Sequence, residues 1–93
     1  MKTNIQDGTL TIILPPDCTI PRAESDTDKI RPLVSDDIRK IEVQAKSVEE
    51  MDTAYIQILL SLKTTADHMK IPFRISEMSP EVLRVSELHG AEF

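Results

Sequence analysis

The sequence predicts an α/β fold in which helices cover one face of a four-stranded sheet. Segments in which apolar and polar residues alternate, as in half-buried strands, are followed by segments in which apolar residues recur every three or four positions, as in helices. From the second strand onward, strands and helices alternate, which predicts parallel crossover connections. Every predicted strand keeps one polar face, so we expect two layers rather than three.

The size and charge of the chain exclude several classes of function. A chain of 93 residues is expected to form one domain, 1–93. A net charge of -5 argues against nucleic acid and anionic membranes as partners. The longest apolar runs have three residues, so we expect no membrane insertion. A single cysteine and no apolar leader predict a cytoplasmic protein.

A β-hairpin is predicted at the start of the chain. Asp7-Gly8 favours the positive φ angles of a tight turn, between strands near residues 2–5 and 9–14. Pro15-Pro16 ends the second strand because proline cannot donate a hydrogen bond to a neighbouring strand.

A first helix is predicted from Ile20 to about Ile30, where apolar residues recur in steps of three and four. Thr19 is its expected N-cap, and Pro32 is expected to stop it. An acidic cluster in this helix lacks the glycine and the bidentate glutamate of a calcium loop, so we interpret it as the solvated face. Its members are Glu24, Asp26 and Asp28.

Two further strands and two further helices are predicted in the second half. Alternating patterns indicate strands at residues 41–45 and 71–75, and the most hydrophobic helix lies between them, from Thr53 to about Met69. A last helix begins after Ser79 as N-cap and closes at Gly90, which favours a left-handed turn.

Signatures of enzymes and metal sites are mostly missing. The two glycines do not form a phosphate-binding loop. His68 and His89 have no second ligand at metal spacing, and we interpret both as surface or helix-capping residues. Cys18 has no neighbouring cation to activate it, and with Asp17 it is the only hint of catalysis. We therefore expect no catalytic residue, cofactor or metal.

Asp52-Thr53 allows a structural and a functional interpretation. In the first, Asp52 is the N-cap of the central helix, Thr53 is its first residue, and Glu49 and Glu50 interact with the helix dipole. In the second, Thr53 is a phosphorylation site, because a phosphate there meets free backbone N–H groups. Phosphorylation would add a charge of about -1.5 to -2 beside these carboxylates.

Three segments together resemble the STAS domain, the anti-sigma factor antagonist family. Residues 41–63 resemble its core, in which a hydrophobic strand leads through a short loop to an Asp-Ser/Thr-Ser/Ala-Gly motif and a hydrophobic helix. Residues 14–20 resemble the loop after its second strand, with Asp17 at the acidic position, and residues 73–90 resemble its last strand and helix. The resemblance implies a four-stranded, mostly parallel mixed sheet with helices packed mainly on one face.

The resemblance also implies a regulatory binding module, not an enzyme. In the anti-sigma antagonist branch, a partner that is both anti-sigma factor and serine/threonine kinase phosphorylates the hydroxyl residue after the aspartate. The unphosphorylated form binds this partner and frees the sigma factor. Thr53 is the implied phosphoacceptor in this chain. The implied partner-binding residues are Asp17, Glu49, Glu50, Asp52, Thr53, Ala54 and Gln57.

Two positions depart from the anti-sigma antagonist pattern. Ala54 and Tyr55 stand where the family has serine and glycine, and we expect the Tyr55 ring to occupy part of the docking surface. The Asp-Thr-Ala form also resembles accessory subunits of lipid-transporting ABC permeases and STAS proteins of chemotaxis or signalling clusters. In these alternatives the partner is an ABC ATPase or a chemotaxis signalling protein, and Thr53 is a binding contact only.

Overall fold

The computed structural model describes residues 1–91 and 93. In chain order, its elements are β1 (Lys2–Gln6), β2 (Thr9–Ile13), β3 (Asp17–Cys18), α1 (Ile20–Ile30), β4 (Lys40–Gln44), β5 (Glu50–Met51), α2 (Thr53–Met69), β6 (Phe73–Ser76) and α3 (Pro80–Leu88). A 3-10 turn, Arg31–Leu33, follows α1.

The predicted α/β class and the mixed, mostly parallel sheet are confirmed. The four-stranded sheet has the order β1-β2-β4-β6. β1 and β2 are antiparallel, whereas β2 and β4, and β4 and β6, are parallel. α1 and α2 supply the two crossovers.

The predicted hairpin turn lies between β1 and β2. Asp7 and Gly8 have φ angles of 52° and 81°, which is the pair of positive values that matches the twist of the flanking strands. The backbone N–H of Arg39 donates to the Gly8 carbonyl at 2.7 Å, so the turn also anchors the start of β4.

The core lies between one face of the sheet and the helices. Leu10 and Ile12 of β2, and Ile41 and Val43 of β4, are fully buried, whereas their polar neighbours along each strand are partly exposed. α2 contributes five buried residues: Tyr55, Ile56, Leu59, Leu62 and Ala66. One sheet face is therefore covered and the other faces solvent, as the strand patterns predict.

The helix bounds follow the predicted caps and breakers. α1 ends at Ile30, two residues before Pro32, and α2 has the predicted bounds. Ser79 caps α3, since its Oγ accepts a hydrogen bond from the Val82 N–H at 3.3 Å. Gly90, just beyond α3, has a φ of 62°.

One interpretation of α1 was wrong. Asp26 does not lie on a solvated face, since it is 1% exposed and accepts a hydrogen bond from the Tyr55 hydroxyl at 2.6 Å. Glu24 and Asp28 are exposed, as predicted. Asp26 departs from the pattern because its partner lies 29 residues away, where helical periodicity gives no signal.

The longest helix of the described residues is α2, with 17 residues. Within 1–91 and 93, no helix combines the length and apolar character that crossing a membrane requires.

Candidate functional site

A small parallel sheet that periodicity could not predict brings two helix starts together. β3 pairs with β5, with Asp17 opposite Glu50 and Cys18 opposite Met51. The Asp52 backbone N–H then donates to the Cys18 carbonyl at 3.2 Å. Each strand has only two residues, too few for a period-two pattern, and both segments were therefore expected to be loops.

Asp52 hydrogen-bonds to the first turns of both helices that begin here. Its Oδ1 accepts from the Tyr55 N–H of α2 at 3.1 Å, which confirms it as the N-cap of that helix. Its Oδ2 accepts from the N–H of Ile20, the first residue of α1, at 2.6 Å. One carboxyl group therefore satisfies a backbone donor of each helix.

The predicted start of α1 and its N-cap residue are confirmed, but the capping hydrogen bond comes from a different residue. Thr19 occupies the N-cap position with an extended backbone, but its side chain makes no capping hydrogen bond. Its hydroxyl donates instead to Asp17 Oδ1 at 2.5 Å. Asp52 supplies the capping oxygen of α1, because the β3–β5 pairing places its carboxyl beside the Ile20 N–H.

The hydroxyl of Thr53 lies against the imidazole of His89. Thr53 Oγ1 and His89 Nε2 are 3.0 Å apart, and His89 Nδ1 is 3.0 Å from the Val85 carbonyl oxygen. The carbonyl can only accept, so Nδ1 carries a hydrogen in this arrangement. In the neutral ring Nε2 is then an acceptor, and the Thr53 hydroxyl donates to it.

His89 has the predicted surface position, since it is exposed and follows the last residue of α3. Its contact with Thr53 was not predicted, because the two residues are 36 positions apart and no spacing rule connects them. Ile20 was also missed: its side chain is 67% exposed, and it follows the segment carrying Asp17. Helical periodicity assigned Ile20 to the apolar stripe of α1, so no sequence pattern signalled its exposure.

The structure gathers the seven residues of the predicted partner surface at one end of the molecule. The β3–β5 pairing and the start of α2 position Asp17, Glu49, Glu50, Asp52, Thr53, Ala54 and Gln57. Asp52 and Ala54 are half-buried and the other five are exposed. Gln57 lies one helical turn after Thr53, on the same face of α2. The result is an acidic surface around one hydroxyl group.

The expectation that the Tyr55 ring occupies the docking surface was wrong. Tyr55 is fully buried, because its position on α2 points the ring into the core, where its hydroxyl donates to Asp26. Burial raises the pKa of Tyr55 far above its usual range, and the hydrogen bond to Asp26 raises it further. Ala54 is therefore the small residue beside Thr53 at this surface.

Cys18 is a core residue. It is fully buried, and its thiol donates to the Pro15 carbonyl at 3.3 Å. Burial raises the pKa of the Cys18 thiol to about 12, so it is protonated and unreactive near neutral pH. In the described part of the chain, no three His, Cys, Asp or Glu side chains form a group that could hold a metal ion.

Comparisons with known proteins agree with the architecture. The chain is similar to the protein TM1081, whose structure was determined by NMR, with a TM-score of 0.78 at 16% identity. The match covers 95% of this chain and 71% of that one, and at this identity it shows the fold alone. A search of curated proteins finds no match. The STAS domain model matches residues 1–93, so the chain belongs to the STAS family, whose members are generally non-catalytic modules that bind proteins.

Proposed function

We propose that the chain is a regulatory module that binds an anti-sigma factor with serine/threonine kinase activity, and that phosphorylation of Thr53 switches this binding. The observation that carries the proposal is the position of Thr53, exposed at the first residue of α2 and directly after the Asp52 cap. A phosphate on this residue lies at the positive end of the helix dipole. Transcription regulation of this kind takes place in the cytoplasm.

The proposed contact surface surrounds Thr53. The exposed side chain of Ile20 supplies apolar area, and Gln57, one turn along α2, extends the surface. Asp17 and Glu50 occupy paired positions of β3 and β5 and add acidic groups to it. A phosphate adds a charge of about -1.5 to -2 beside these carboxylates. This charge repels acidic groups of the partner and is costly to remove from water, so phosphorylation weakens docking.

The test compares two glutamate substitutions on the same helix. Thr53→Glu places a negative charge at the proposed site, and Thr64→Glu places one at an exposed position of α2 about 16 Å along the helix axis. Both variants and the wild type are used to capture partners from native lysate, and Thr53 is examined for phosphate by mass spectrometry. We expect the wild type and Thr64→Glu to capture a kinase that Thr53→Glu captures at least about tenfold less well, a loss of about 1.4 kcal/mol.

Equal capture by all three proteins would contradict the switch. Capture of an ABC ATPase or of chemotaxis signalling proteins, with Thr53 unmodified, would assign the chain to one of the other STAS branches. Thr53 would then be a contact residue. Circular dichroism of each variant checks that the fold is retained.

A further inference from the structure

We propose that His89 is the proton acceptor for the phosphorylation of Thr53. This inference rests on the proposed function, because it assigns a role at the same hydroxyl group. It starts from the imidazole that α3 brings to the start of α2, with Nε2 at 3.0 Å from Thr53 Oγ1. This distance is within the range that a general base requires.

The orientation of the ring suits this role. Nδ1 lies 3.0 Å from the Val85 carbonyl oxygen, and this hydrogen bond fixes the proton on Nδ1 and leaves the Nε2 lone pair directed at the hydroxyl. A nucleophile, a base and a group that orients the base are thus joined by two consecutive hydrogen bonds. Here the orienting group is a backbone carbonyl of α3, one turn before His89.

The transfer step balances with a nucleoside triphosphate supplied by the partner kinase. Thr53 Oγ1 forms a bond to the γ-phosphorus while the bond from that phosphorus to the β–γ bridging oxygen breaks. The bridging oxygen keeps the electron pair and leaves as part of the nucleoside diphosphate. The hydroxyl proton passes to His89 Nε2, which yields phosphothreonine beside an imidazolium.

The charges around Thr53 favour this proton transfer. Asp52 precedes Thr53, and Glu50 lies on β5, which packs against α3. An imidazolium formed at His89 lies beside the new phosphate, which carries the opposite charge. This pair of opposite charges stabilises the ring that the transfer produces.

The first experiment measures the His89 tautomer in the protein alone. Nitrogen-15 NMR of the ring at about pH 8.5, well above the ordinary imidazole pKa of about 6.5, reports which nitrogen carries the proton. We expect the proton on Nδ1 of His89, with exposed His68 as the reference ring in the same spectrum. A proton on Nε2 would overturn the inference, since Nε2 could not then accept the hydroxyl proton.

The second experiment measures phosphate transfer to Thr53. Wild type, His89→Gln, His89→Ala and the control His68→Gln are incubated in native lysate with triphosphate labelled in the γ-phosphate, and phosphate on Thr53 is quantified over time. Glutamine can hydrogen-bond the hydroxyl but cannot take its proton. We expect both His89 variants to react about 100-fold more slowly than wild type, and His68→Gln to react at the wild-type rate.

The outcomes separate this inference from the proposed function. Transfer to His89→Gln at the wild-type rate would overturn the proton-acceptor role and leave the switch intact. Absence of phosphate on wild-type Thr53 would overturn the switch and this role with it, whatever the tautomer of His89.

Discussion

Tyr55 places a phenol hydroxyl inside the core, where it needs a hydrogen-bond partner. Its partner is Asp26 Oδ2 at 2.6 Å, and both residues are almost completely buried. The pair links α1 to α2 close to the start of the helix that carries Thr53. Two polar residues that look unrelated in the sequence thus form one structural unit.

Tyr55→Phe is expected to destabilise the protein by about 1–3 kcal/mol, because the Asp26 carboxyl loses a donor in a site that water does not reach. Urea unfolding followed by circular dichroism measures this loss. The control is Thr64→Ala, which removes an exposed hydroxyl that donates to the Leu60 carbonyl of the same helix. We expect the control to change stability by less than about 0.5 kcal/mol; equal effects of the two substitutions would contradict the prediction.

Asp52 acts at the scale of elements, since one carboxyl group holds the starts of α1 and α2 in a fixed relation. Its two oxygens accept from backbone donors of different helices, Ile20 and Tyr55. The position of Thr53 relative to the exposed Ile20 therefore depends on this residue. A side chain next to the proposed phosphoacceptor has a structural role that stands apart from any effect on phosphorylation.

Asp52→Ala is expected to lower the free energy of unfolding by about 1–3 kcal/mol, because both helices lose an acceptor. Asp52→Asn keeps one side-chain oxygen and is expected to lose about half as much. Amide hydrogen exchange should accelerate at Ile20 and Tyr55 in the alanine variant. Glu49→Ala, at an exposed position, is the control. A loss in Asp52→Ala no larger than in this control would show that the double cap contributes little.

At the scale of the whole molecule, two buried groups with raised pKa values are expected to lower the free energy of unfolding as the pH becomes alkaline. Burial raises the pKa of Cys18 from 9.0 to about 12 and that of Tyr55 from 10.0 to a value beyond the usual range. The unfolded chain releases these protons at lower pH than the native protein does. Their contribution is thus fully present below pH 9 and is lost as the pH rises toward 12.

The urea midpoint is therefore expected to fall between about pH 9 and about pH 10.5, with each group contributing a slope that approaches about 1.4 kcal/mol per pH unit. Cys18→Ala removes the loss of stability that begins at the lower pH, because the unfolded pKa of cysteine is below that of tyrosine. Its stability should decline less steeply over this range than that of the wild type, whatever its starting value. Parallel curves for the two proteins would contradict the assignment to Cys18.

Local sequence signals predicted the elements well and their meeting points poorly. The Asp52 cap and the apolar stripe defined α2 from Thr53 to Met69, and Asp7-Gly8 defined the hairpin, because these signals depend on neighbours in the chain. Three contacts join positions about 30 residues apart: the β3–β5 pair, the hydrogen bond from Tyr55 to Asp26, and the contact between Thr53 and His89. No period or turn rule reports such pairs, and here they decide the geometry of the site.

The β3–β5 pairing has a consequence for any attempt to isolate the site. Residues 17–20, 50–53 and 89 meet only when the intervening crossovers have closed, and loop closure over such separations is opposed by chain entropy. A synthetic peptide of α2 would carry Thr53 but not its surroundings. A partner that binds this discontinuous surface would distinguish the folded chain from its nascent or proteolysed forms. The regulator would therefore signal only when it is folded and intact.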